Sequence, residues 1–167
     1  WESMMGKIRA KGARACLHLH KTSDELFWEV KDLNVIESHV NDAFYQVKRT
    51  RDLLESTDKF MKASIAVTDF DQLIRNKIIA KSQQKLNEIS INEKIADAWR
   101  NLNKTALDPA IFIEDFELMK ERLNKMIETF SATRVLYAGP ECGMRGFPTY
   151  ECALECLRRV SKTIKGS

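Results

Sequence analysis

The chain has 167 residues, of which 44% are hydrophobic and 31% charged, so it can bury a core and is not predicted to be disordered. Its net charge is only +3, with basic residues interleaved with acidic ones, which argues against nucleic acid or a membrane surface as partners. No apolar run approaches the roughly 20 residues that cross a bilayer. The length predicts a single domain spanning residues 1–167.

The cysteines and the first residue bear on where the chain works. Four cysteines are few for a disulfide framework in a chain of this length, and no signal-peptide pattern is recognisable at its start. We therefore expect a reducing, cytoplasmic setting with free thiols. The first residue is Trp1 and not methionine, so we expect a fragment or a processed chain.

In chain order, short apolar runs predict four strands, over residues 15–20, 35–40, 63–68 and 135–138. Helical patterns lie between them, and the long stretch from about 71 to 130 has no strand pattern at all. A final helix is predicted after Pro148 and Thr149. Earlier helix starts are predicted at the capping residues Thr22 (with Glu25), Asn41 or Asp42, Ser90 (with Glu93) and Asp108 (with Pro109).

Strands that alternate with helices predict an α/β fold built from parallel βα units. Four such units are too few for an eight-stranded barrel, which takes about 250 residues. The pattern therefore predicts a small α/β layer or part of a barrel, with a helical insertion after the third strand. An all-helical protein is the alternative, because helical patterns outweigh strand patterns.

Three features of the sequence indicate a metal site. His18 and His20 alternate along the first strand, so both imidazoles would project from one face, and two imidazoles are a common half of a zinc site. Glu37 lies near the end of an apolar strand, where an unpaired carboxylate is costly. Cys142 follows the last strand in a Gly/Pro-rich loop, where a metal would deprotonate an accessible thiol.

Each feature also has a plain structural explanation. The histidines would then be exposed or hydrogen-bonded at a strand end, the glutamate would point into solvent, and the thiol would be inert. Together, however, two imidazoles, one carboxylate and one thiolate form a four-coordinate set that suits Zn²⁺. All four residues lie at the ends of strands that we expect to be neighbours.

The segment GPECG at 139–143, followed by a helix, resembles the terminal Asp/Glu-Cys-Gly zinc motif of cobalamin-independent methionine synthase and its archaeal relatives. In that family an H-x-C pair, a glutamate on the next strand and this late cysteine bind the catalytic zinc. The resemblance implies that His18 and His20 replace the H-x-C pair, and that Glu37 and Cys142 are the other ligands. It covers nearly the whole chain, which corresponds to the last four βα units of the family's eight-unit barrel.

The chain departs from the family at two positions in the site. His20 stands where the family has a cysteine, and the third strand ends in IAVTD at 65–69 without the family's histidine. We assign Asp69 a catalytic role there, in handling a proton or contacting substrate. The helices at about 71–130 also exceed what the family needs.

The resemblance implies a partial, half TIM-barrel-like fold of four parallel βα units and a zinc-dependent methyltransferase. The acceptor would be a thiol such as homocysteine, and the methyl donor stays open between folate, a corrinoid and others. Because a half-barrel leaves strand edges and a sheet face bare, we expect a homo-oligomer or a partner half-barrel subunit. The alternative function is a non-catalytic zinc-stabilised or helical interaction module.

Overall fold

A computed structural model describes residues 2–19, 26–102 and 108–166 of the chain. Its centre is one sheet of four strands in the order β1-β2-β3-β4, and every neighbouring pair is parallel. The strands are β1 (Cys16–Leu19), β2 (Val35–Ser38), β3 (Phe60–Ala66) and β4 (Val135–Pro140). The helices are α1 (Glu2–Arg9), α2 (Leu26–Glu29), α3 (Lys48–Ser56), α4 (Phe70–Lys81), α5 (Glu88–Leu102), α6 (Phe116–Phe130) and α7 (Tyr150–Lys165).

The fold class predicted from the sequence is confirmed at the level of an α/β protein with four parallel strands and flanking helices. Strands that are consecutive in the chain are also adjacent in the sheet, so each connection brings the chain back to begin the neighbouring strand. Parallel strands need such crossovers because the chain must travel back to the start of the sheet before the next strand begins, which a tight turn cannot achieve. All four carboxyl ends therefore lie along one edge of the sheet.

The two faces of the sheet differ in chemistry. One face carries the fully buried side chains of Ile36, Met61 and Ile65, which pack in the hydrophobic core with α6 and α7. The other face follows from the alternation of side chains along each strand and carries polar groups, among them Glu37 and Lys62. The helices thus cover the apolar face, and the polar face carries the side chains that could bind a ligand or take part in a reaction.

Two of the predicted strand ends shift in β3. The strand begins at Phe60 and not at residue 63, and it ends at Ala66 and not at residue 68. Lys62 interrupts the apolar pattern in the sequence, but its charge is balanced by an ion pair with Glu37, so the strand continues through it. Beyond Ala66, the backbone N–H groups of residues 67 and 68 donate to glutamate side chains, which ends the ladder.

Thr149 caps α7 as predicted, with its hydroxyl accepting from the backbone N–H of Cys152. Asp42 and Asp108 also cap helices, but these are 3₁₀ turns at Ala43–Tyr45 and Pro109–Phe112. The cap predicted at Ser90 is wrong, because α5 begins at Glu88 and the side chain of Asn87 accepts from the backbone N–H of Ser90. Thr22 and Glu25 lie outside the described residues.

The stretch after β3 is helical, as predicted, and no strand interrupts it among the described residues of 70–130. Helix α5 packs on α4, while α6 packs on β3 and β4. The helix that returns the chain to β4 is therefore α6. Within the ranges that the structure describes, no helix is long and apolar enough to cross a membrane.

Candidate metal centre

Two histidines and a cysteine converge at the carboxyl edge of the sheet. His18 lies on β1, His39 follows the last residue of β2, and Cys142 follows β4. One ligand atom from each of the three lies within 4.8 Å of the other two. The carboxyl ends of parallel strands are where α/β proteins place their binding sites, because the strands deliver side chains from several elements to one edge.

The three side chains are partly buried and close enough to share an ion. The Sγ atom of Cys142 lies 3.7 Å from Nε2 of His39. The ring centroids of His18 and His39 are 5.2 Å apart, with a tilt of 34° between the ring planes. Both ring nitrogens of His18 are buried.

The donor types suit zinc, and the separation between two of the ligand atoms agrees with a tetrahedral site. Zn–N and Zn–S bonds in a tetrahedral site place a nitrogen and a sulfur ligand roughly 3.6 Å apart. The observed 3.7 Å between Cys142 and His39 agrees with that edge. Three protein donors are what catalytic zinc sites use, since a fourth position is kept for water or substrate.

Glu37 lies beside His18, outside the group of three ligand atoms. Its Oε1 atom is 3.2 Å from Nδ1 of His18, and its other oxygen is ion-paired with Lys62. The side chain of Glu37 is only 13% exposed, so this cation compensates a charge that water reaches poorly. A carboxylate at the second nitrogen of a metal-binding histidine is the arrangement that orients the imidazole and selects its tautomer.

Cys142 reaches His39 across β3, and Glu141 explains how. The carboxylate of Glu141, which is 5% exposed, accepts hydrogen bonds from the backbone N–H of Val40 at 2.8 Å and of Thr68 at 2.7 Å. Val40 follows His39, and Glu141 precedes Cys142. One carboxylate therefore ties the loops that carry two of the three donors.

The hydroxyl of Tyr45 holds β2 and β3 where their ladder stops. Regular pairing of these strands is limited to two residue pairs, which end at Ile36 and Met61. The Tyr45 oxygen then accepts from the backbone N–H of Ser38 at 2.8 Å and lies 3.0 Å from the carbonyl oxygen of Lys62. Burial raises the pKa of this phenol to about 12, so the hydroxyl keeps its proton. The strand ends that present the site are thus held by side chains.

The structure brings some of the residues predicted from the sequence together and places Asp69 on another element. His18 and Cys142 lie together in the cluster, and Glu37 contacts His18 from outside it. His20 lies outside the described residues. Asp69 is the N-cap of α4, where its carboxylate accepts from the backbone N–H of Gln72 at 3.1 Å, and it lines a cleft of about 580 Å³ beside α4 and α5.

His39 was not among the ligands predicted from the sequence, although the sequence contains a signal for it. His39 is two residues after Glu37, so the alternation that pairs His18 with His20 also puts Glu37 and His39 on one side of the chain. Applying that rule to the end of β2 would have added His39 to the candidate ligands.

Comparisons of this chain with protein-family models, with curated proteins and with solved structures found no match.

Proposed function

We propose that the chain binds one zinc ion through His18, His39 and Cys142 and serves a zinc-dependent transfer of a methyl group to a thiol such as homocysteine. The observation that carries this proposal is the approach of the three ligand atoms to within 4.8 Å at the carboxyl edge of a parallel sheet. The resemblance of the GPECG segment to the methionine synthase motif supports it further, because that segment supplies Cys142.

Bound zinc would favour the deprotonated form of a thiol substrate, which at a pKa near 8.5 is only a few per cent ionised at neutral pH. The chain's own residues fix the donors. Glu37 holds the imidazole of His18 by its Nδ1 side, so that Nε2 is the nitrogen available for a ligand. Glu141 keeps the loops of His39 and Cys142 together. Three protein donors leave one position for the sulfur of the substrate.

The proposed fold origin is half of a TIM-type barrel. The sequential order of parallel strands supports this idea, because a barrel adds each strand beside the previous one. So does the separation of an apolar, helix-covered face from a face that carries Glu37, Lys62 and the exposed side chains of Cys16 and Tyr137. A homo-oligomer or a partner half-barrel subunit would cover that second face. Light scattering of the purified chain tests the first option, and a monomeric mass leaves only the partner subunit.

Metal content is the direct test of the site. We expect about one zinc per chain when the protein is purified without chelator, and loss of the metal in Cys142→Ala and in His39→Ala. Cys16→Ala is the matched control, since Cys16 is an exposed cysteine of β1 outside the cluster, and it should keep the metal. His20→Ala separates the two histidine assignments: metal loss there and retention in His39→Ala would contradict the ligand set.

Thiol binding then distinguishes the enzyme from the interaction module. Titrating a cobalt-loaded chain with homocysteine should change the visible spectrum, because the sulfur would enter the coordination of the metal. A chain that binds metal but shows no response to any thiol would favour a zinc-stabilised module. A folded chain that binds no zinc would refute the metal site altogether.

A further inference from the structure

Lys62 occupies a central place beneath the candidate metal centre. It lies in β3, its side chain is 21% exposed, it pairs in register with Tyr137 on β4, and its ammonium group reaches Glu37 on β2. A lysine inside a strand needs compensation for its charge and its N–H groups. Here the ammonium group forms an ion pair with Glu37 and donates to the carbonyl oxygen of Pro140 at 3.0 Å.

These two contacts lead to opposite sides of the donor cluster. On one side, Glu37 carries the connection to Nδ1 of His18, 3.2 Å from its carboxylate. On the other side, Pro140 lies two residues before Cys142. Lys62 therefore contacts one group beside a donor from β1 and another close to a donor in the loop after β4.

Space around Lys62 is also tight in a way that fixes its side chain. A Cβ atom built on Gly139 would lie 3.0 Å from the Cε atom of Lys62. Glycine at this position lets the lysine side chain pass close to the backbone of β4. The ammonium group is thus directed toward both Glu37 and Pro140 by packing as well as by charge.

We propose that Lys62 is the positioning residue of the metal centre: it holds Glu37 as the outer partner of His18, so that the imidazole presents Nε2 to the metal. Lys62 occupies one oxygen of the Glu37 carboxylate and His18 faces the other. The inference rests on the proposed metal site, and it assigns Glu37 to the outer layer of that site.

The test compares Lys62→Met with Lys62→Arg by zinc affinity, measured in competition with a chromophoric chelator. We expect Lys62→Met to bind zinc 10- to 100-fold more weakly, the loss typical for removing an outer partner of a ligand. Lys62→Arg keeps the cation and should recover part of the affinity. Lys94→Met, which removes an exposed lysine from α5, is the control and should match the unaltered chain.

Cobalt substitution provides a readout that a loss of packing alone would not move. In Lys62→Met the imidazole of His18 loses its fixed partner, so the visible bands of bound Co²⁺ should shift, whereas Lys62→Arg should keep them. Glu37→Gln is the milder second variant: it should weaken zinc binding in the same direction, and the double variant should lose little more than either single one, because both remove the same interaction.

The possible failures are separable. If the unaltered chain binds no metal, the proposed function fails and this inference fails with it. If the unaltered chain binds zinc and Lys62→Met binds it equally or more tightly, the positioning role alone is refuted. A large affinity loss in Glu37→Gln with no effect in Lys62→Met would make Glu37 a direct ligand and would also overturn the inference.

Discussion

Replacement of Glu141 by glutamine should lower both the stability of the fold and its response to zinc. The carboxylate is almost fully buried and accepts three hydrogen bonds, from the backbone N–H of Val40, the backbone N–H of Thr68 and the hydroxyl of Thr68. Glutamine keeps one acceptor oxygen but turns an NH₂ group toward one of the two backbone donors. The change therefore costs at least one charge-assisted hydrogen bond.

The expected magnitude follows from the burial of these groups. A hydrogen bond to a charged group contributes about 1.5–3 kcal/mol, and a buried donor left without an acceptor costs about 1–3 kcal/mol. We expect Glu141→Gln to lower the free energy of unfolding by about 2–3 kcal/mol. Glu141→Ala removes every acceptor and should cost about 3–5 kcal/mol, on the same per-bond values.

Urea-induced unfolding with and without added zinc measures both effects. Glu121→Gln on α6 is the matched control, since Glu121 is exposed, and it should stay within about 0.5 kcal/mol of the unaltered chain. In Glu141→Gln the stabilisation gained on adding zinc should also shrink, because the loops of His39 and Cys142 lose their common anchor. If Glu141→Gln unfolds like the control and gains as much from zinc, then Glu141 does not hold the site together.

Three further predictions concern Arg122, Cys156 and Asp69. Arg122 forms a two-point ion pair with the buried Glu114 at 2.5 and 2.7 Å, so Arg122→Met should lower the free energy of unfolding by about 3–5 kcal/mol. Adding Glu114→Gln to that variant should restore part of the lost stability, which a double-mutant cycle measured by denaturation can show. Burial raises the pKa of Cys156 from 9.0 to about 12, so the thiol of the unfolded chain loses its proton at a lower pH than that of the folded chain. The free energy of unfolding should therefore fall as pH rises above about 9. Unfolding measured across that pH range should show a less steep fall in Cys156→Ala. Asp69→Ala removes the cap of α4 and should cost about 1 kcal/mol in thermal unfolding, whereas Asp69→Asn keeps an acceptor; a loss of methyl transfer in Asp69→Asn at unchanged stability would support the predicted catalytic role.

The strands were predictable because their apolar runs are local and bounded by turn residues. The candidate metal centre was predictable only in part. The spacing of residues along β1 identifies His18 as a candidate ligand, but it does not show which residue of β2 lies opposite His18. The register that puts His18 opposite Glu37 depends on pairing across the sheet, which a single sequence does not contain. Alternation beyond Glu37 could still have identified His39, because that rule needs only the chain itself.

Capping residues were predicted with the right chemistry but often for the wrong element. Asp42 and Asp108 do accept from backbone N–H groups, yet each begins a 3₁₀ turn. A local acceptor fixes where the chain turns, whereas the length of the following helix depends on whether its apolar face meets a partner. That partner is set by tertiary packing and is not visible in a four-residue motif.

Two buried glutamates hold the backbone at the carboxyl edge of the sheet, close to the candidate metal donors. Backbone N–H groups at Val40, Val67 and Thr68 donate to Glu114 and Glu141 where a continuing ladder would otherwise join the strands. Each carboxylate is buried and satisfied, so the strand ends are held at spacings that side chains determine. A ladder would keep neighbouring chains at about 4.8 Å, which leaves no freedom to adjust donors to an ion. Glu141, which looks like a surface residue in the sequence, therefore holds the loops of His39 and Cys142 in the candidate metal centre, and Glu114 holds the end of β3.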